Sequence, residues 1–309
     1  MSARVVVFAY HTFGARALGA LLGRGESVVA VVTHEDEPAE GDWFESVGDL
    51  ARAHGIPVFT PRSPNDPEFV ARLASFDADV FLSVWYRRIL GENVLALPRI
   101  AALNLHGSLL PLYRGRAPVN WVLVNGETRT GVTLHHMTVE ADAGDIVAQE
   151  PIDIHPDDTA LSLYGRVVKA GVDLLLRAYP SVLDGTAPRR PQDHARATVV
   201  GRRRAEDGRV QWAWPATRIA NMVRAVTHPY PGAFVGDGAA RLVVWEAVPV
   251  EATAPAGAGT IVDVRAGEGV TVGTGEGHLR LVRVQGAGRP EEPADAWARA
   301  LTLTRGDTL

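Results

Sequence analysis

Asn104, His106 and Asp142 are the side chains whose types and spacing could perform chemistry together, and all three lie within one stretch, Asn104 to Gln149. Asn104 and His106 stand two apart at the end of an apolar run, a spacing that puts both side chains on one side of an extended strand. An amide N–H can meet the oxyanion that develops in acyl transfer, and an imidazole can move the attacking amine's proton near neutral pH. A carboxylate such as Asp142 can orient that imidazole and favour its protonated form. The trio suits direct acyl transfer to an amine, with no covalent enzyme intermediate. Singly, each has a plainer explanation: a satisfied strand-end histidine, an aspartate forming a turn beside glycine, an ordinary asparagine.

Regular elements must bring these residues together. Arg4 to Tyr10 is an apolar, β-branched run that reads as a buried strand, followed by a polar turn and a helix-like segment ended by Gly23 and Gly25. Ser27 to Thr33 reads as a second strand, Val47 to His54 as a short helix stopped by Gly55, and Pro57 to Phe59 as a third strand. Asn65 to Phe76 carries Phe69, Leu73 and Phe76 on one helical face, Asp79 to Tyr86 is the fourth strand and Ala101 to His106 the fifth. Strands alternating with helices at this spacing predict an α/β fold with a Rossmann-like, mostly parallel sheet covered on both faces. Such sheets bind ligands outside the carboxyl ends of their strands, where Asn104 and His106 fall.

Gly131 to Met137 and Asp145 to Ile154 read as paired strands joined by the turn from Asp142 to Asp145. Leu161, Tyr164, Val168, Val172, Leu175 and Tyr179 then form the buried face of a structural helix ended by Gly185. From Gly201 onward glycine is frequent and short apolar runs recur between turn signals every ~8 to 12 residues, predicting a small open, OB-like β-barrel. One helix leads into it, with Ile219, Met222, Val223 and Val226 on its apolar side, and Ala252 to Gly259 reads as a mobile loop. The expected division is a catalytic domain over 1–200 and a barrel domain over 201–309.

Composition narrows the chemistry. The chain has 309 residues, enough for two domains at the usual ~100 to 200 residues each. It is 46% hydrophobic and 22% charged, with no run of ~18 apolar residues to span a bilayer and no signal-peptide pattern at the N-terminus, so it reads as cytoplasmic. The absence of cysteine excludes disulfides, thiolate nucleophiles and cysteine-based metal sites. A formal net charge of −5 gives no reason to expect a polyanionic partner. The first strand-to-helix turn holds Gly14 and Gly19 but no G-x-G-x-x-G, and no acidic residue ends the second strand, which argues against NAD. Walker A and G-x-S-x-G sequences are absent too.

The run Asn-Leu-His-Gly-Ser-Leu-Leu-Pro from Asn104, followed by Ala-Asp-Ala-Gly-Asp-Ile from Ala141, resembles the signature of enzymes that transfer a formyl group from N10-formyltetrahydrofolate. Phe8 to His11 and Tyr113 to Glu127 are similar, more narrowly, to the formyltransferase half of the bifunctional enzymes that formylate UDP-4-amino-4-deoxy-L-arabinose in polymyxin-resistance lipid A modification. Gly201 to Arg203 and Asn221 to Phe234 resemble the linker and second domain of those enzymes, so the likeness covers nearly the whole chain. They continue into a decarboxylase domain that this sequence, ending at Leu309, does not contain, which leaves the exact sugar and pathway open.

The resemblance implies that Asn104, His106 and Asp142 are the catalytic triad and that the co-substrate is N10-formyltetrahydrofolate, with no metal. It matches Trp85 to Leu90, with Tyr86, to the folate-pocket loop, where backbone groups of Arg88, Ile89 and Leu90 would meet the pterin. Backbone near Ala141, Asp142 and Asp145 would lie on its other side. Arg114 and Arg116, in the Gly/Pro loop, carry forked guanidinium groups suited to a pyrophosphate, the alternative being solvated loop charges. Arg202, Arg203, Asn221, Arg224 and Tyr230 match acceptor-binding equivalents at the domain junction. Tyr10, His11, His135 and His136 are further candidates, with packing as the alternative.

The implied reaction formylates a nucleotide-linked amino sugar, with small molecules rather than nucleic acid or membrane as partners and a homo-oligomer left open. The rival acceptor is methionyl-tRNA, but an RNA partner should leave a basic footprint. The second domain shows no basic excess, and the loop from His34 to Ser46 carries acids and no lysine or arginine. Two further alternatives are a non-catalytic folate or nucleotide-binding module and a formyltetrahydrofolate hydrolase.

Overall fold

β1 (Arg4–Ala9) is buried from its second residue onward, as a β-branched run must be when helices cover both faces of its sheet. The computed structural model describes residues 2–36, 43–251 and 256–309. In chain order β1 leads into α1 (His11–Gly23), β2 (Ser27–Val32), α2 (Val47–Ala53), β3 (Val58–Phe59), α3 (Pro67–Ser75), β4 (Val80–Val84), α4 (Glu92–Leu95) and β5 (Ala101–His106). There follow β6 (Arg114–Gly115), α5 (Pro118–Val124), β7 (Arg129–His136), β8 (Ile146–Asp153), α6 (Ala160–Leu183) and β9 (Val199–Val200). The remainder is α7 (Ala216–Val226), β10 (Ala233–Val235), β11 (Leu242–Val250), β12 (Ile261–Arg265), β13 (Gly269–Gly273), β14 (His278–Gly286), β15 (Glu292–Pro293) and α8 (Ala294–Ala300).

The first sheet has the order β3-β2-β1-β4-β5-β7-β8. Strands β1 to β5 pair in parallel, and β7 runs antiparallel to both of its neighbours. One register matters for chemistry: Asn104 of β5 lies opposite Ser83 of β4 on one side and His135 of β7 on the other. Helix α1 crosses close to β1 at Gly14, where a Cβ would come within 2.8 Å of the Ala9 side chain. Phe69 and Phe76 pack around Leu73 against a core of Val6, Phe8, Phe81 and Val94, as the helical spacing predicts.

The long helix departs from expectation at one end. Tyr164, Val168, Leu175 and Tyr179 are buried, but Val172 is half-buried and Leu161 is 46% exposed. Leu163, Val167 and Leu174 take the inward positions, so the buried stripe is rotated from the one read by spacing alone.

The chain forms two compact units. The first takes residues Met1–Pro118, Arg129–Asp153 and Gly165–Gly201; the second takes Val119–Thr128, Ile154–Tyr164 and Arg202–Leu309. The second unit is built on an antiparallel sheet of order β10-β11-β14-β13-β12, with β15 paired to β14. Ile219, Met222, Val223 and Val226 of α7 are all buried. Among the described residues the pairing path ends at β10 and β12. Residues 252–255 of the loop expected to be mobile, and residues 37–42 of the acidic loop, lie outside the described residues.

Candidate active site

Asn104 and His106 occupy the carboxyl end of β5, as the strand reading required, and the turn after β7 brings Asp142 to them. The Asn104 amide Nδ2 donates to Asp142 Oδ1 at 3.1 Å, and His106 Nδ1 lies 3.5 Å from the same oxygen. Opposite it, His106 Nε2 is 2.8 Å from the Tyr113 carbonyl. A carbonyl only accepts, so the hydrogen of the neutral ring belongs on Nε2 and Nδ1 is the nitrogen left to exchange a proton. Ser108, fully buried, donates to the Leu112 carbonyl at 2.6 Å, and the Tyr113 N–H donates to Thr198 Oγ1 at 2.8 Å, so the loop presenting that carbonyl is itself held.

Asp142 is the most constrained member. Its φ of 55° lies in the left-handed region that an aspartate adopts only at a cost. Its Oδ2 accepts the Gly115 N–H at 2.8 Å. Gly115 has φ 99°, and a Cβ there would fall 2.3 Å from the Val200 carbonyl oxygen, so the donor position excludes any side chain. Burial by itself would push the Asp142 carboxyl up; the His106 charge, then His135 and the Gly115 amide outweigh it and hold the group well below the usual carboxylate range.

His135 belongs to this network more closely than its sequence suggests. It is 1% exposed, its Nε2 lies 3.0 Å from Asn104 Nδ2, and its Nδ1 lies 2.8 Å from the His136 carbonyl. With its hydrogen on Nδ1, His135 accepts from Asn104. Both amide hydrogens of Asn104 are therefore engaged, one on Asp142 and one on His135. An oxyanion must compete for one of them. Only the antiparallel register of β7 against β5 exposes this pairing. His136 faces elsewhere: its Nε2 is buried without a partner, and burial, aided by the Arg189 charge, pulls its pKa down to about 4.

The arginines divide sharply. Arg114 is 3% exposed, with Nε and Nη2 on Gln192 Oε1 at 3.2 and 2.7 Å and Nη1 3.4 Å from Glu140 Oε1. That fork is committed within the protein rather than presented to a pyrophosphate. Arg116 is exposed and donates to the Arg87 carbonyl. Tyr10 is 1% exposed, edge-on to His34 and tilted against Phe44 with the Arg87 guanidinium 4.3 Å from its ring, and His11 stacks on Phe44 at 4.3 Å. Both pack among aromatic neighbours.

The loop after β4 carries Tyr86 to Leu90. The Tyr86 hydroxyl is buried without a partner, burial pushes it up to about 12, and Tyr86 packs with Met137 against the cluster containing Leu90 and Val94. Ile89 is 57% exposed, and its carbonyl accepts from Asn65 at 3.0 Å. Arg88 donates to the Pro61 carbonyl. On the acidic turn, Ala141 is exposed and the Asp145 carbonyl accepts the His136 N–H at 2.9 Å.

Within the second unit, Arg203 and Asn221 line a cleft of about 610 Å³ together with Trp121, Asn125, Arg218 and Met222. The Arg203 guanidinium sits 4.7 Å from the Trp121 ring, and its Nε is buried without a partner. Burial lowers its pKa, against the opposing charge of Asp207. Arg224 donates to Asn221 Oδ1 at 3.0 Å and to the His155 and Asp158 carbonyls at 3.3 and 3.4 Å, Tyr230 is held by Asn120, and Arg202 is exposed. Among the described residues no cluster of histidine and carboxylate side chains could hold a metal ion, and no helix is long and apolar enough to cross a membrane.

Two family models match the sequence: formyl transferase over residues 3–179 and formyl transferase, C-terminal domain, over 203–302. Among solved structures, an N-formyltransferase from Helicobacter canadensis, in complex with folinic acid and dTDP-3-aminofucose, has a TM-score of 0.69 at 18% identity, covering 91% of this chain and 99% of that one. WlaRD, a sugar 3N-formyl transferase solved with dTDP and 5-N-formyl-tetrahydrofolate, gives 0.65 at 17% identity, covering 91% and 97%. HypX from Aquifex aeolicus in complex with tetrahydrofolic acid gives 0.64 at 20% identity; 97% of this chain spans 47% of HypX, about half its length. At such identities the likeness speaks for the fold.

Proposed function

The chain belongs to the formyl transferase family, and on that premise we propose that it moves a formyl group from N10-formyltetrahydrofolate to the amine of a nucleotide-linked amino sugar. UDP-4-amino-4-deoxy-L-arabinose or a related 4-amino sugar is the proposed acceptor. The observation that carries the reading is the convergence of Asn104, His106 and Asp142 at the end of β5. The family resemblance would put backbone of Arg88, Ile89 and Leu90 on one side of the pterin and that of Ala141 and Asp145 on the other, and the reading is supported by the Tyr86 hydroxyl, buried without a partner in the same loop. When bound, the folate supplies the activated formyl group.

The residues of the chain do the rest. His106 Nδ1 takes the proton that the attacking amine must lose and returns it to the departing nitrogen. Asp142, 3.5 Å away, offers its charge to the imidazolium that forms. Asn104 releases one amide hydrogen from His135 to meet the growing negative charge on oxygen. The sugar-nucleotide assignment draws on Tyr113 to Trp121, on the arginine-lined cleft with Arg203 and Asn221, and on a net charge of −5 that offers RNA no general attraction. Relatives solved with dTDP-3-aminofucose and dTDP point to the same class of acceptor. We assign catalysis to 1–200 and an acceptor-holding, OB-like role to 201–309, in a cytoplasmic enzyme that could act in lipid A modification.

The test offers N10-formyltetrahydrofolate with a panel of UDP- and dTDP-linked amino sugars and with methionyl-tRNA. Formylation of at least one sugar amine and not of the tRNA is expected; formylation of the tRNA alone sinks the acceptor assignment. Loss of formyl-folate in water, without any acceptor product, would point to a hydrolase.

A further inference from the structure

We propose that Gln192 and Arg114 are positioning residues for the transfer reaction, forming a buried clamp that fixes the turn carrying Asp142; this rests on the formyl-transfer reading. Gln192 lies between α6 and β9 and is 5% exposed. Its Nε2 donates to the Asp142 carbonyl at 2.8 Å and to the Gly144 carbonyl at 2.7 Å. Its Oε1 accepts Nε and Nη2 of Arg114 at 3.2 and 2.7 Å. Both donors and both lone pairs of the amide are thereby used, which leaves it one orientation.

Arg114 extends the clamp. Its Nη1 reaches Glu140 at the start of the same turn, at 3.4 Å, and its Nη2 lies 3.2 Å from His194 Nδ1. The next residue, Gly115, donates its N–H to Asp142 Oδ2, and the pair is registered by Arg114 and Gly115 against Val199 and Val200. A guanidinium 3% exposed has no route to a bound phosphate without abandoning these partners. The turn it holds contains a left-handed aspartate, a conformation that persists only when its surroundings over-determine it. The clamp touches none of the reacting atoms. Its effect passes entirely through the position of the carboxylate that faces His106.

Gln192→Leu removes all four hydrogen bonds, and Gln192→Glu keeps an acceptor for Arg114 while removing both N–H donors. In steady-state formyl transfer the clamp predicts a kcat loss of roughly 10- to 100-fold, since a shift of about 1 Å in a catalytic group costs on the order of 10²-fold. The KM values for folate and acceptor should stay within about twofold. Amide exchange followed by NMR gives a readout without substrate: the Gly115 amide should lose protection while β1 amides keep theirs. Wild-type kcat in either folded variant, a change confined to KM, or unchanged Gly115 protection would overturn the clamp. If Gln192→Leu fails to fold, Gln192→Glu decides by the same criteria. Absence of turnover in the wild-type enzyme counts against the transfer reading instead, and the Gly115 exchange still tests the clamp.

Discussion

A proton shuttle needs one ring nitrogen anchored and the other able to exchange a proton, and the role proposed for His106 rests on its Nε2 lying on the Tyr113 carbonyl and its Nδ1 3.5 Å from Asp142. His106→Ala should lower kcat by about 10² to 10⁴-fold with the fold retained, read by steady-state kinetics and circular dichroism. Asp142→Asn should fall in the same range, because the partner charge for the imidazolium is lost while the shape remains. His136 makes a prediction about stability. Its ring is held neutral, with its pKa lowered from 6.5 to about 4, so the unfolded chain binds a proton that the folded one refuses. Stability from this group is present above pH 6.5 and is lost as pH falls toward 4. Denaturant unfolding at stepped pH should show that slope in the wild type and a flatter one in His136→Gln. Asp142, depressed likewise, adds stability above the ordinary carboxylate value of about 4 and loses it in stronger acid.

Two-residue strands can matter as much as long ones. β6 and β9 hold only Arg114, Gly115, Val199 and Val200, yet their pairing aims the Gly115 N–H at Asp142. Gly115→Ala should destabilise the protein by roughly 2 kcal/mol or more in denaturant unfolding and depress kcat, because its φ of 99° and the 2.3 Å approach to Val200 both exclude a methyl group. Such short pairings carry no periodicity, which is why nothing in the sequence announced them. The long elements were legible for the opposite reason: β1, β4 and β5 are predominantly apolar runs, and α7 keeps a strict apolar face. Asn104 and His106 could be placed because a strand end fixes their direction. The partnership of Asn104 with His135 could not, since it depends on the register of β7, and the inward face of α6 turned past Leu161 for want of any local marker.

Acceptor choice is a property of the whole molecule. With a net charge of −5, attraction for the proposed sugar nucleotide has to come from local groups, and the proposal looks to the cleft that Arg203 and Arg218 line together with Asp207. Arg203→Ala should raise KM for the sugar nucleotide about tenfold with kcat little changed, as expected when a charge-assisted contact worth about 1.5 to 3 kcal/mol is lost from ground state and transition state alike. Residues 119–128 and 154–164 fall in the second unit, an assignment set by tertiary contact rather than by composition. The most direct test follows the formyl carbon itself. Isotope-labelled N10-formyltetrahydrofolate is mixed with UDP-4-amino-4-deoxy-L-arabinose and either wild-type enzyme or His106→Ala, and the sugar nucleotide is examined by mass spectrometry. Labelled formyl on the sugar with the wild type and none above background with the variant is the predicted result; equal labelling by the two proteins would contradict the assignment of His106 as the proton shuttle.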